Sequence, residues 1–229
     1  MYSLENRVVF ITGASRGIGK ECAYEFAKQK SILILTYYKG YKEGELVKRR
    51  CLELGSPKVL LLYLDLTNND SIKRTVAKII KQLGKISILI NNSGVIFWKM
   101  AREHTNNEVE NQLRVNLEGL IKMTIACLPY IQDMIINMGS AASIGGYEKQ
   151  SVYGASKWGV RGFTQALAKE TPTLKIYNFI SGGVATQMKN FQGILPEKIA
   201  VLIKDFAQEK YILDSGLDIN AREYISYRS

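Results

Sequence analysis

Tyr153 and Lys157 stand four residues apart in a segment with helical apolar spacing, so their side chains project from one face. A tyrosine phenol titrates near 10, too high for proton transfer at neutral pH. A neighbouring ammonium favours the phenolate. At ~4 Å and an effective dielectric of ~20 the attraction is roughly 4 kcal/mol, or about three pKa units before desolvation is subtracted. Such a pair would let Tyr153 give a proton to a substrate oxygen, or take one from it. Tyr/Lys pairs at this spacing are also common on solvent faces, so the surrounding residues decide. Ser140 lies just past the strand-like run Met134–Met138, where its hydroxyl could hold a substrate oxygen beside Tyr153; Ser143 competes for that role. Asn116 interrupts the apolar Val115-Asn116-Leu117. Asn is a poor helix former, and an inward amide needs partners. It is either a solvent-facing residue or the holder of a water that connects Lys157 to bulk.

A second group of residues has the chemistry of a dinucleotide site. Thr12-Gly13-Ala14-Ser15-Arg16-Gly17-Ile18-Gly19 joins a strand pattern to a helix pattern. Glycines there allow a tight turn with positive φ, let the backbone approach a pyrophosphate, and leave helix N–H groups facing the anion. Asp65, Asn91-Asn92-Ser93-Gly94, Ser140 and Gly182-Gly183-Val184-Ala185-Thr186 each follow a later strand-like run. Turn chemistry alone would account for any one of them. Together they mark one rim of one sheet, where open α/β sheets bind ligands. After the second strand comes Leu35-Thr36-Tyr37-Tyr38-Lys39, with no acid before Glu43. An acid there would hold a ribose 2′-hydroxyl, whereas Arg16 and Lys39 could pair with a 2′-phosphate. NADP(H) is therefore favoured over NAD(H).

These residues need a scaffold, and the chain alternates accordingly. Strand patterns at Val8–Thr12, Ile32–Thr36, Lys58–Leu62, Ile86–Ile90, Met134–Met138, Lys175–Ile180 and Leu217–Asn220 alternate with helix patterns. The helices are expected at Ile18–Lys28, Glu43–Leu54, from Thr67–Asp70 to Leu83, at Asn106–Leu128 as one long helix closed by Pro129, at Ser151–Glu170 and at Pro196–Phe206. Short runs apolar on both faces belong to a parallel sheet covered on both sides. The expected fold is α/β: a doubly wound, Rossmann-type parallel sheet of six to seven strands with helices on both faces. No linker or repeat divides residues 1–229, which read as a single dinucleotide-binding and catalytic domain.

Composition narrows the alternatives. An apolar fraction of 46% supports a sizeable core, and no apolar run approaches the ~18 residues of a membrane span. Met1–Arg7 lacks the pattern of a signal peptide, and Cys22, Cys51 and Cys127 form no CxxC pair, so a reducing, cytoplasmic setting is expected. The lone His104 leaves no zinc-type ligand cluster. The net charge of +10 is scattered, and its tightest run, Lys48-Arg49-Arg50, reads as a solvated helix face before a nucleic-acid patch. Neither nucleic acid nor membrane is an expected partner.

With these motifs in place, the sequence resembles the short-chain dehydrogenase/reductase family from Val8 to about Asn220. Thr12–Gly19 is similar to its TGxxxGxG loop, Asn91–Gly94 to its NNAG segment with Ser93 in place of Ala, and Tyr153–Lys157 to YxxxK. Its nearest flavour is that of 3-oxoacyl-carrier-protein reductases and related carbonyl reductases. The resemblance implies Asn116, Ser140, Tyr153 and Lys157 as a catalytic tetrad, Asp65 as the adenine contact and Thr186 as a cofactor contact after the sixth strand. It implies cofactor contacts at Gly13, Ser15, Arg16, Gly17, Ile18, Gly19, Tyr37, Lys39, Asp65, Leu66, Asn92, Ser93, Gly94, Gly183, Val184 and Thr186, besides Tyr153 and Lys157. The family's Pro-Gly after the sixth strand is Gly182-Gly183 here, and the Tyr-rich end (Tyr211, Tyr224, Tyr227) is unlike a standard family ending.

The expected activity is hydride transfer between a nicotinamide cofactor and a carbonyl or alcohol, in the reductive direction. Tyr153 is the general acid/base, Lys157 lowers its pKa and holds the ribose, Ser140 orients the oxygen and Asn116 relays water. The rival is a non-catalytic dinucleotide sensor, which has no need of a matched acid–base set. Substrate-pocket residues are expected around Val95–Met100, Ile144–Gln150 and Gln187–Gly193, with Ile96, Phe97, Trp98, Tyr147 and Phe191 as aromatic or apolar lining. The short stretch from Thr186 to Pro196 implies an open site. Family members commonly pair through the helices holding Asn116 and Tyr153, so a homodimer or homotetramer is expected.

Overall fold

A computed structural model describes residues 2–186, 188 and 192–225. Seven strands form one sheet: β1 (Val8–Ile11), β2 (Ile32–Tyr37), β3 (Val59–Tyr63), β4 (Ile86–Asn91), β5 (Ile131–Met138), β6 (Lys175–Ile180) and β7 (Asp218–Asn220). All pairings are parallel, in the order β3-β2-β1-β4-β5-β6-β7. The order reverses beside β1, where such a sheet leaves a crevice at its carboxyl edge.

The helices are α1 (Gly17–Lys28), α2 (Tyr41–Glu53), α3 (Asn69–Leu83), α4 (Asn106–Leu113), α5 (Gly119–Cys127), α6 (Ser151–Glu170), α7 (Pro196–Ala207) and the short α8 (Ala221–Ile225). The strand side chains alternate between two cores. Val9, Ile11, Leu33, Leu35, Ile88 and Ile90 meet α1, α2 and α7 on one face; Val8, Phe10, Ile34 and Leu89 meet α3, α5 and α6 on the other. All three cysteines are free and buried. Among the described residues no helix is long and apolar enough to cross a membrane.

The expected continuous helix Asn106–Leu128 is corrected. It begins with a capping box, the Thr105 hydroxyl accepting from the Glu108 N–H and the Glu108 carboxylate from the Thr105 N–H. Then Arg114–Glu118 widens into a π turn before α5 resumes. At Gly119, where α5 resumes, a Cβ would lie 2.6 Å from the Leu66 carbonyl oxygen, so helix and loop are in direct contact.

Apolar burial is not the whole sheet. Asn91, Asn137, Asn178 and Asp218 stand in register on β4 to β7. Asn91 donates to Asn137 Oδ1 at 2.8 Å and to Thr124 Oγ1 at 2.9 Å; Asn137 donates to Thr164 Oγ1 at 2.9 Å; Asn178 donates to Asp218 Oδ1 at 2.7 Å. This buried polar row ties the sheet to α5 and α6, and a one-residue slip of any strand would break it. The Tyr-rich end is packing as well: Tyr211 and Tyr224 close on Phe206 with ring centroids 4.8 and 5.0 Å away. Tyr227 lies outside the described residues.

Candidate active site

The loops after β1, β2, β3, β4, β5 and β6 all open on the carboxyl edge and carry most of the expected site residues; Tyr37 ends β2, Tyr153 and Lys157 lie in the first two turns of α6, and Asn116 lies between α4 and α5. The glycine loop is built by mutual support. Gly13 (φ +66°) donates its N–H to Thr36 Oγ1 at 3.1 Å, and Ala14 donates to the Thr36 carbonyl at 2.9 Å. Thr12 Oγ1 accepts from the N–H groups of Asn92 and Ser93, both at 3.0 Å. Asn92 Nδ2 donates to the Thr12 and Gly13 carbonyls, also at 3.0 Å. A Cβ on Gly13 would stand 2.7 Å from Ser93 Oγ, so the β1 and β4 loops touch.

The residues present fit a pyrophosphate. The first turn of α1 has no side-chain cap and no acidic residue, so its N–H groups and positive dipole end face the crevice. Thr186 leans over this turn, its Cγ2 3.4 Å from where a Gly17 Cβ would be. Ser15 and Gly40 also meet, Ser15 Oγ lying 3.0 Å from the Cβ position of Gly40. Arg16 and Lys39 are exposed; the Lys39 ammonium sits 5.6 Å from the Tyr38 ring centroid. Tyr37 is half-buried, its ring tilted against Tyr41 with centroids 5.3 Å apart.

Five expected contacts have structural work of their own. Ile18 packs on the core beneath α1. Asp65 Oδ1 accepts from the Thr67 N–H at 2.9 Å and its hydroxyl at 2.7 Å, a turn that leads towards α3, and Leu66 is buried. After β6 the chain turns at Gly182 (φ +72°), and Val184 pairs with Ile194. Gly183 and Ala185 complete that bridge: Ala185 N–H donates to the Ile194 carbonyl at 2.8 Å and Ile194 N–H to the Gly183 carbonyl at 2.9 Å. Gln187 and Phe191, expected in the pocket, lie outside the described residues.

At the chemical end, α6 carries Tyr153 and Lys157 as the spacing implied, with Nζ 5.7 Å from the phenol ring centroid. Lys157 is buried and donates to the Met138 carbonyl at 2.6 Å. Burial pulls its pKa down to about 8. Tyr153 is half-buried by surface area, yet densely surrounded, and this burial raises its pKa. A side-chain hydrogen bond with Ser140 acts against the rise. The expectation that Lys157 would bring the phenol down is thus corrected for the free site, where desolvation raises the Tyr153 pKa and lowers that of Lys157.

Ser140, not Ser143, reaches Tyr153. Ser143 is fully buried and gives its hydroxyl to the Ser140 carbonyl at 2.5 Å. Asn116 is at the centre of the π turn and fully buried, which settles its inward direction. Its Oδ1 accepts from Val95 N–H at 2.8 Å; its Nδ2 donates to the Val95 carbonyl at 2.8 Å and to Ser156 Oγ at 3.2 Å. Ser156 Oγ in turn donates to the Tyr153 carbonyl at 2.6 Å. Asn116 therefore fixes the backbone beside Tyr153, while Lys157 bonds elsewhere. Sequence reasoning missed Gln112, also fully buried, whose Oε1 accepts from Phe97 N–H at 3.2 Å. Helical spacing from Asn116 was the signal available.

Known proteins resemble the chain in sequence and in fold. The chain is 34% identical over 197 residues to mouse dehydrogenase/reductase SDR family member 7, covering 82% of this chain but only 58% of that one. It is 32% identical over 202 residues to 3-oxoacyl-[acyl-carrier-protein] reductase FabG of Thermotoga maritima, covering 85% and 80%. A crystal structure of a short chain dehydrogenase from Burkholderia cenocepacia in complex with NADP superposes with a TM-score of 0.89 at 21% identity, covering 95% and 97%, which is a likeness of fold. The short chain dehydrogenase family model matches residues 7–193. That span takes in the glycine loop, the Asn116 turn, Ser140, Tyr153 and Lys157, and by it the chain belongs to the short-chain dehydrogenase family.

Proposed function

We propose that the protein reduces a ketone or aldehyde with NADPH. One observation carries the reading: Tyr153 is hydrogen-bonded by Ser140 and has the Lys157 ammonium 5.7 Å from its ring centroid. A phenol hydrogen-bonded by Ser140 and flanked by a cation is placed to give its proton to a carbonyl oxygen that receives a hydride.

The cofactor would lie along the crevice, its pyrophosphate on the start of α1 within Gly13–Gly19, its adenosine between Tyr37, Lys39, Asp65 and Leu66, and its nicotinamide side near Asn92–Gly94, Gly183–Val184 and Thr186. When bound it supplies the hydride. Ser140 would hold the substrate oxygen by a hydrogen bond and orient the carbonyl. Tyr153 would donate its hydroxyl proton to that oxygen. Lys157 would hold the nicotinamide ribose and, as an ammonium, favour the phenolate that remains. Asn116 would keep a water that returns a proton towards Lys157; a π turn leaves main-chain groups without their usual helical partners, which supports that role.

NADPH is favoured because two exposed cations, Arg16 in the glycine loop and Lys39 after β2, could pair with a 2′-phosphate. NADH has one observation on its side: Glu43 Oε2 folds back to within 3.3 Å of the Cβ position of Gly40, beside Ser15. The substrate class follows the carbonyl chemistry and the ketone named in the Thermotoga relative. Exposed Ile125 on α5 and Trp158 on α6 support pairing into a homodimer or homotetramer, and three buried thiols suit the cytoplasm.

Cofactor oxidation with a panel of ketones and aldehydes tests the reading. Turnover with kcat/KM at least tenfold higher for NADPH than for NADH is expected. Micromolar cofactor binding without turnover of any carbonyl would replace it with the sensor reading.

A further inference from the structure

After β4 the chain leaves the sheet, and two side-chain amides meet it at alternate residues. Asn116 satisfies both the N–H and the carbonyl of Val95. Gln112, one helical turn earlier on the same face, accepts from the N–H of Phe97. That bond fixes the orientation of the amide: an N–H donor requires the oxygen, so Nε2 turns away. Among the described residues Nε2 is buried with no hydrogen-bond partner. A leucine here would bury similar apolar area and orphan only one N–H, whereas Gln112 buries a carboxamide whose amino half is unpaired. Fold stability alone gives no reason for the glutamine.

What Gln112 does accomplish is local. It fixes Phe97, and the next residue, Trp98, reaches out to donate its indole N–H to the Met188 carbonyl at 3.0 Å. At the other end of the same stretch, Asn116 joins Val95 to Ser156, and Ser156 to the backbone of Tyr153. The segment 95–98 is thereby held in register with the proton donor at one end and with the chain after β6 at the other. We propose that Gln112 is a positioning residue that sets this wall of the substrate site, and through it the affinity for the carbonyl. The inference rests on the carbonyl-reductase reading, and cofactor binding and proton transfer belong to other residues.

The chain's two tryptophans are Trp98 and Trp158, so a Trp158→Phe background leaves Trp98 as a reporter of the wall that needs no turnover. In that background Gln112→Leu is expected to red-shift the emission and raise its quenching by acrylamide. Gln112→Glu, which keeps an oxygen acceptor for Phe97, leaves both near the parent. In steady state, Gln112→Leu raises KM for the carbonyl about fivefold or more, with kcat and the KM for NADPH within about twofold. Should that variant not fold, Gln112→Met carries the same test. A folded variant with unchanged emission and unchanged carbonyl KM overturns the proposal, as does a loss that falls on kcat or NADPH instead. An enzyme that reduces no carbonyl, but whose Trp98 emission still follows Gln112, sinks the parent reading and leaves the hold on the wall standing.

Discussion

Lys157 Nζ donates to the Met138 carbonyl oxygen at 2.6 Å, a bond made in a fully buried setting between α6 and the last residue of β5. Two residues later in the chain comes Ser140, and one helical turn before Lys157 comes Tyr153. The bond therefore fixes the distance between the hydroxyl that would orient a substrate oxygen and the phenol that would protonate it. It also puts a cation where water is scarce, and that has a measurable consequence.

Burial lowers the folded-state pKa of Lys157 to about 8 from 10.5. Between these values the unfolded lysine binds a proton that the folded one has released, so stability rises with pH. Below pH 8 both states are protonated and the folded state carries the full burial penalty. The rise attributable to Lys157 is at most about 3 kcal/mol. Urea unfolding of the cofactor-free protein and of Lys157→Met at pH 7, 8, 9 and 10 is expected to show the variant's relative advantage shrinking as pH climbs from 8 to 10. A difference independent of pH would mean the ammonium is better solvated than its burial implies.

Tyr153→Phe removes the hydroxyl and leaves the ring that packs above Lys157. Proton donors of this kind contribute about 10²–10⁴-fold, so kcat is expected to fall by at least a hundredfold. Cofactor affinity, measured by quenching of NADPH fluorescence, stays within about twofold, since the pyrophosphate cradle is elsewhere. Ser140→Ala falls less, because it orients and does not transfer the proton. Full activity in Tyr153→Phe removes the phenol from the reaction.

Much of this site was legible in the sequence, because it depends on local rules. A strand pattern, a glycine loop and a helix start identify the crevice; four-residue spacing places Tyr153 over Lys157. What was hidden depends on neighbours distant in sequence. Asn137 and Asn178 sit in apolar runs and gain partners only once β4 to β7 are in register. The π turn at Arg114–Glu118 leaves no mark on apolar spacing. The direction of the Tyr153 pKa also escaped, since charge pairing is visible in a sequence and desolvation is not.

Gly19 offers a test of sign. Alanine in a helix is ordinarily better than glycine by about 1 kcal/mol. Here a Cβ would meet the Gly13 carbonyl oxygen and Asn92 Nδ2, both at 2.5 Å. The amide could swing away, but the carbonyl belongs to the loop backbone. Gly19→Ala is therefore expected to destabilise by about 1–3 kcal/mol and to weaken NADPH binding more than tenfold, as thermal melting and fluorescence titration would read. A gain in melting temperature would show the loop to be more pliable than its hydrogen bonds indicate.

Glu43 and Lys39 carry opposite charges on either side of Gly40, where the proposed adenosine would lie. The Glu43 carboxylate folds back towards Gly40 and Ser15, while Lys39 is exposed one residue before Gly40. A carboxylate at this place repels a 2′-phosphate and an ammonium attracts it. Glu43→Gln is expected to raise the NADPH:NADH ratio of kcat/KM several-fold, and Lys39→Ala to lower it by a similar factor. Because Lys39 faces solvent, its effect should shrink between 20 mM and 500 mM salt, where the Debye length falls from about 20 Å to about 4 Å. The shape of the Glu43→Gln change identifies the physiological cofactor. A gain confined to NADPH means that the carboxylate was only repelling the phosphate. A loss confined to NADH means that it was holding the ribose hydroxyl, and the preference for NADPH would then have to be reversed.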